Sequence, residues 1–266
     1  MRITLLGTGT SQGVPLIGHP NEGLDLSEPK NWRNRSCAHI VSDDAHIQID
    51  AGPEFRLACL KFRVSAVDFF FLTHGHSDHI LGMDDLRRFC DLRGGAAIPV
   101  WTTPEGKARV EAIFPYGIRP RSERGYVALE PRLAEPDATL ACGTRVQTTL
   151  LPHGPRFRSL GLVFTEKKSG RRIAYFTDCS EVPDEAVALA RGADLLVIDA
   201  LHRNPHPTHL NFEKALEASR KIRAALTVFT HMTYRADYAR ESAALPPGVR
   251  LGYDGFVWED GVVSED

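Results

Sequence analysis

The sequence predicts a layered α/β domain with mixed sheets, on three observations. The second half alternates apolar strand-like runs with amphipathic helical stretches. The first half is rich in short strands with helices between them. No repeat, low-complexity tract or composition break divides residues 1–266, so one domain is expected over the whole chain.

The elements follow in order. RITLLG (2–7) reads as a strand, and the glycine-punctuated TGTSQGVP after it reads as a loop. Residues 18–36 are polar and broken by Pro and Gly, which predicts a long surface loop. CAHIVS (37–42) and HIQID (46–50) form a hairpin pair, followed by a short amphipathic helix in GPEFRLACLKF. VDFFFL (67–72) is a buried strand, and SDHILGMDDLRRFC (77–90) is one helix. IPVWT is a strand. PEGKARVEAIF is a helix with proline in its first turn, where a missing N–H is harmless. Residues 117–137 are basic and Pro-rich; TLACG, RVQTTLLP, LGLVFTE and RRIAYFTD then read as strands. PDEAVALARG is a helix stopped by glycine and ADLLVIDA a strand, with LHRNPHPTHL a loop. NFEKALEASRKIR is a helix capped by Asn211, ALTVFTH a strand, DYARESAAL a helix, and GFVWEDGVV a closing hairpin.

Bulk properties narrow the function. A formal net charge of −2 creates no global field for nucleic acid or membrane. No run of eighteen apolar residues predicts a membrane span. MRITLLGTGTSQG lacks the apolar stretch and cleavage site of a signal peptide. The 5 cysteines are scattered and never in CxxC spacing, which predicts reduced thiols and a cytoplasmic protein.

The chemistry lies at strand ends. In THGHSDHILG, His74, His76, Asp78 and His79 crowd together just after VDFFFL. His153 follows VQTTLLP, Asp178 follows RRIAYFT and His231 follows ALTVFT. Each is one donor placed where a buried strand emerges, and strand ends converge on one sheet edge. Imidazole and carboxylate donors suit Zn²⁺, Mn²⁺ or Fe²⁺. With no cysteine in the set, an open catalytic site is expected rather than a closed structural one.

These segments resemble the metallo-β-lactamase superfamily nearly end to end: HIQIDAG, LTHGHSDHILG, LLPHG, YFTDCS and VFTHMT. GTGTSQGVP, DALHRNPHPTHLN and LPPGVRLGYDGFVWE resemble its PhnP-like phosphodiesterase branch. The resemblance implies a four-layer αβ/βα sandwich with two divalent ions, Zn²⁺ or Mn²⁺, at one edge. It implies that His74, His76 and His153 hold one metal, that Asp78, His79 and His231 hold the other, and that Asp178 bridges them. Asp50 would support the site without ligating. The implied catalytic set is His209, Asp178 and Asp78, with His209 beside the leaving group. The implied reaction is hydrolysis of a small phosphate diester, cyclic ones included, by a metal-bridging hydroxide. A homodimer is implied by the resemblance alone. Many relatives bind a structural zinc in a cysteine-rich loop; GHPNEGLDLSEPKNW has no cysteine, so no structural zinc is expected.

Plainer readings stand beside these. Asp178 could be a helix cap. His202 and His206 lie in the loop of His209, and His206 is the substitute candidate for its role. TGTSQGVP is not a phosphate loop, since no lysine follows, and reads first as a tight turn. Arg33 and Arg35 could grip phosphate, but a surface loop predicts solvated side chains. Asp84 and Asp85 read as a solvated or salt-bridged face. Arg119, Arg121 and Arg124 form a basic run too short for a nucleic-acid site. His19, His39 and His46 read as structural or surface residues, and Cys179 as a small buried residue. Three other functions compete: an RNA-processing nuclease, a thioester or lactone hydrolase, and a non-catalytic carrier in cofactor biosynthesis. No nucleic-acid or membrane partner is expected.

Overall fold

A computed structural model describes residues 1–121 and 125–264. Six strands open the first sheet: β1 (Arg2–Gly7), β2 (Cys37–Ser42), β3 (Ala45–Ile49), β4 (Phe69–Phe71), β5 (Ile98–Thr102) and β6 (Leu129–Leu133). Seven form the second: β7 (Asp137–Thr139), β8 (Arg145–His153), β9 (Phe157–Thr165), β10 (Arg172–Phe176), β11 (Leu195–Asp199), β12 (Leu226–Thr230) and β13 (Val249–Leu251). The chain then returns to the first sheet with β14 (Val257–Glu259) and β15 (Val262–Ser264). The sheet orders are β15-β14-β1-β2-β3-β4-β5-β6 and β13-β12-β11-β10-β9-β8-β7.

Three apolar clusters turn these sheets into the expected αβ/βα sandwich. Strand alternation sends Ile3, Leu5, Ile47 and Ile49 from one sheet against Leu162, Ile173, Tyr175 and Val197 from the other. The opposite face of the first sheet buries Phe70, Leu72 and Val100 against α1 (Phe55–Lys61), α3 (Arg87–Leu92) and α4 (Pro104–Ile113). The opposite face of the second buries Ala174, Phe176, Leu196 and Ile198 against α5 (Asp184–Ala190) and α6 (Phe212–Ile222). α6 begins as expected, with Asn211 accepting from Lys214 N at 3.0 Å. α7 (Tyr238–Ala243) lies in the 237–245 stretch and is capped by Asp237.

Three expectations are corrected. The strand predicted in TLACG lies instead at Asp137–Thr139, and residues 140–143 form a turn in which Gly143 N donates to Leu140 O at 2.8 Å. The helix predicted over 77–90 is broken into α2 (Ser77–Ile80), a 3₁₀ turn (Met83–Leu86) and α3. Gly82 causes the break: its N–H donates to Ala51 O at 2.8 Å, and a side chain there would collide with Gly52 O. The motif is thereby packed backbone-to-backbone on the turn after β3. Arg33 is 2% exposed, not solvated. Its guanidinium donates to Ala236 O at 2.6 Å and Asn31 Oδ1 at 3.1 Å. Asn31 Nδ2 in turn donates to Asp237 Oδ2 at 2.8 Å, and Asp25 N donates to the same oxygen at 3.1 Å. This clasp of side chains fastens the loop that lacks cysteine to the start of α7. Arg35, half-buried, pairs with Glu54, and Asp84 pairs with Arg87. Arg121 donates to Gly94 O, and Arg124 lies outside the described residues. Among the described residues, no helix is long and apolar enough to cross a membrane.

Candidate metal centre

Strand direction gathers the donors. β3 and β4 are parallel. β10, β11 and β12 are parallel, and β8 runs the same way because both it and β10 are antiparallel to β9. Every donor segment therefore exits at the C-terminal end of its strand. Asp50, Asp178 and His231 turn out of their strands at φ 58°, 53° and 60°, left-handed backbone that non-glycine residues seldom adopt. Each such residue costs about 1–3 kcal/mol and persists where its surroundings over-determine it, commonly at functional sites.

All seven predicted ligands meet in two adjoining groups. His74 Nε2 and His76 Nδ1 lie 2.8 Å apart, and His153 Nε2 lies 3.3 Å from His76 Nδ1. In the second group His79 Nε2 is 3.2 Å from Asp78 Oδ2 and 3.3 Å from Asp178 Oδ1. His231 Nε2 is 3.2 Å from Asp178 Oδ2. Asp178 also faces the first group, 3.8 Å from His74 Nε2 and 3.9 Å from His153 Nε2. The residues fit divalent ions. His79 Nε2 and His231 Nε2 are buried with no hydrogen-bond partner, a cost that coordination would remove. Burial keeps His74, His76 and His153 below the usual imidazole pKa, reinforced by neighbouring imidazoles, and the neutral ring is the ligating form. Burial opposes ionisation of Asp178, but His231 and His79 hold its pKa well below the usual carboxylate range.

A second layer of hydrogen bonds fixes which nitrogen points inward. Asp50, fully buried, accepts from Thr73 N at 2.7 Å, Thr73 Oγ1 at 2.8 Å and His79 Nδ1 at 2.7 Å. His74 Nδ1 lies 3.1 Å from Thr73 Oγ1, so Asp50 reaches both groups of donors. His153 Nδ1 donates to Thr208 O at 2.9 Å. Each bond leaves the other ring nitrogen facing the cluster.

His209 stands beside the donors, 4.9 Å from the His153 ring and 4.6 Å from the His231 ring between centroids. Its Nδ1 donates to Asp199 Oδ2 at 2.8 Å. Burial alone would lower its pKa; the Asp199 carboxylate reverses this and raises it to about 9. Sequence reading missed Asp199, although it obeys the same grammar, closing the apolar strand LLVID. His206 lies farther out, 5.3 Å from the His209 ring. A cavity of about 260 Å³ adjoins His209, walled by Thr10, Ser11, Gln12, His206 and Tyr234. TGTSQGVP is thus a tight turn, with Gly13 N donating to Thr10 O at 2.8 Å, and also a wall of this cavity. His39 is structural, hydrogen-bonded to Gln48 and His46 inside the first sheet. His19 is a surface residue against Tyr234. Cys179 is buried, and burial beside Asp199 pushes its thiol well up, which removes it as a nucleophile.

Known proteins share this design. Residues 46–232 match the beta-lactamase superfamily domain. The crystal structure of a diphosphatase from the PhnP family superposes with a TM-score of 0.85 at 31% identity, covering 99% of each chain. An octanoyltransferase of Porphyromonas gingivalis is 30% identical over 259 residues, 96% of this chain and 51% of the relative. The chain therefore spans about half the length of that relative. Ribonuclease Z of Microcystis aeruginosa is 25% identical, with 97% of this chain and 96% of the relative covered. On this evidence the chain belongs to the metallo-β-lactamase superfamily and, within it, to the PhnP family.

Proposed function

We propose that the chain, acting as one domain over residues 1–266, is a metal-dependent phosphodiesterase that hydrolyses a small phosphate diester. The observation that carries this reading is the His209–Asp199 pair set against a cluster of seven donors and a small adjoining cavity. His74, His76 and His153 would hold one Zn²⁺ or Mn²⁺, Asp78, His79 and His231 the second, with Asp178 shared between them. When bound, the ions supply neutralisation of phosphate charge and a nucleophile at neutral pH. Asp50 and Thr208 orient the ligand rings. Asp199 accepts from His209 Nδ1, and its carboxylate favours the doubly protonated ring, which would carry its second proton on Nε2. That proton goes to the departing alkoxide, which would otherwise leave as a poor leaving group. The cavity walled by Thr10, Ser11, Gln12 and His206 receives the leaving half. The PhnP-family diphosphatase supports phosphate chemistry at 31% identity. Ribonuclease Z relatives support RNA cleavage as the second reading. A cytoplasmic protein and a homodimer complete the proposal.

The test compares bis(p-nitrophenyl) phosphate with p-nitrophenyl phosphate, on protein loaded separately with Mn²⁺ and Zn²⁺ and with Asp178→Ala as blank. Diester cleavage absent from the blank, with little monoester cleavage, is expected. No diester turnover with either ion refutes the reading.

A further inference from the structure

The proposed reaction leaves one residue at the site without a task. Phe157, at the start of β9, is 48% exposed, so it is not a core residue. It pairs with His153 across the β8–β9 hairpin. Directly opposed residues project from the same face of a sheet, so Phe157 shares a face with a proposed ligand. Its ring meets His76 at 4.7 Å between centroids, inclined at 66°. Ring contacts run from Phe157 through His76 and His153 to His209, so two proposed ligands separate Phe157 from the leaving-group histidine.

The two flanks of the site differ in character. The His209 flank is a small cavity where Leu16 and Leu201 stand beside Thr10, Ser11 and Gln12, and its one tyrosine, Tyr234, is already engaged by His19 and Arg235. The Phe157 flank offers an open aromatic surface. A planar ring held there would regain the apolar burial that an exposed phenylalanine forgoes. A diester spanning the donors places its leaving half at His209 and its retained half toward Phe157.

We propose that Phe157 is a specificity-determining residue, an aromatic platform that stacks the planar base on the retained half of a nucleoside phosphate diester. The proposal rests on the phosphodiesterase reading and narrows it to substrates of nucleotide size. A net charge of −2 favours such a small ligand over an RNA strand, which would need a basic track.

The test measures binding of AMP and of ribose 5-phosphate, by calorimetry, to metal-loaded wild type, Phe157→Ala and Phe157→Trp. Metal content is checked in each. Phe157→Ala is expected to weaken AMP about tenfold, within the range of base–aromatic stacking, and to leave ribose 5-phosphate within about twofold. Phe157→Trp should restore AMP binding, with quenching of its indole fluorescence. Unchanged AMP binding in Phe157→Ala overturns the proposal. So does equal weakening of both ligands or loss of metal, which would make Phe157 a packing support for His76. Wild-type binding of an oligoribonucleotide far tighter than AMP, with steep salt dependence, overturns the small-ligand assignment. A turnover assay with the p-nitrophenyl ester of thymidine 5′-phosphate and with methyl p-nitrophenyl phosphate separates the two levels. If wild type cleaves neither, the phosphodiesterase reading fails while the binding comparison still decides the platform. If it cleaves both, Phe157→Ala should raise KM about tenfold for the nucleoside ester alone, with kcat unchanged; KM unchanged for that ester overturns the platform.

Discussion

Replacing Asp50 by asparagine should weaken metal binding although Asp50 is not a proposed ligand. The carboxylate accepts three hydrogen bonds: Thr73 N at 2.7 Å, Thr73 Oγ1 at 2.8 Å and His79 Nδ1 at 2.7 Å. Asparagine keeps one acceptor oxygen. If that oxygen stays on Thr73 N, an NH₂ group faces Thr73 Oγ1 and His79 Nδ1. His79 must then accept at Nδ1 and carry its proton on Nε2, the nitrogen 3.2 Å from Asp78 and 3.3 Å from Asp178. A ring protonated on its ligating nitrogen does not coordinate, so binding has to drive the tautomer back. Losing such a supporting partner costs about 10- to 100-fold in affinity, or about 1.4–2.7 kcal/mol. The assay is competition between metal-free protein and a chromophoric chelator for Zn²⁺ and Mn²⁺. In the proposed two-ion arrangement, the ion on His79 should weaken most. The ion bound by His74 should weaken less, because its link to Asp50 passes through Thr73. Wild-type affinity for both ions in Asp50→Asn would refute the tautomer argument.

Three more predictions follow from the geometry. His209→Ala should lower kcat about 100- to 10,000-fold for a diester with an alkoxide leaving group, and far less with p-nitrophenolate, which needs no proton. Steady-state rates on the two substrates, with metal content checked, decide this. His39, whose pKa burial lowers from 6.5 to about 4, is neutral in the fold while the unfolded chain protonates first. Its contribution, on the order of 3 kcal/mol, is present above pH 6.5 and is lost as pH falls from 6.5 towards 4. Urea unfolding of metal-free protein across that window should show a shallower acid loss in His39→Asn. Asp237→Ala removes the acceptor for Asn31 and Asp25 and the cap of α7, at a cost of about 1 kcal/mol for the cap. Limited proteolysis should then cut faster within residues 18–36.

The gathering of these donors is legible because its grammar is local. A buried strand is written as an apolar run, and the next polar residue is its exit, so VDFFFL, RRIAYFT and ALTVFT each announced a donor. Asp199 obeys the same rule yet escaped notice, because an aspartate after LLVI also reads as an ordinary strand end. Its meaning depends on His209, ten residues later, folding back to donate to it. Around Arg33 local composition describes a surface loop, while the burial of this side chain depends on carbonyl groups two hundred residues away. Over 77–90 helical periodicity cannot register that the backbone of Gly82 must touch the turn after β3. Phe157 is invisible to pattern reading, since an aromatic residue at a strand start is unremarkable until the hairpin register sets it opposite His153.

The Asn31–Arg33–Asp237 clasp has a consequence for how the protein ages and recovers. It is assembled from an amide, a guanidinium and a carboxylate, none of which a chelator can extract or an oxidant can cross-link. Loss of any ion from the proposed centre would therefore leave the neighbouring loop in position. A protein emptied in this way is a waiting template rather than a damaged one, and ions returning to the proposed centre should need no refolding of the clasped loop.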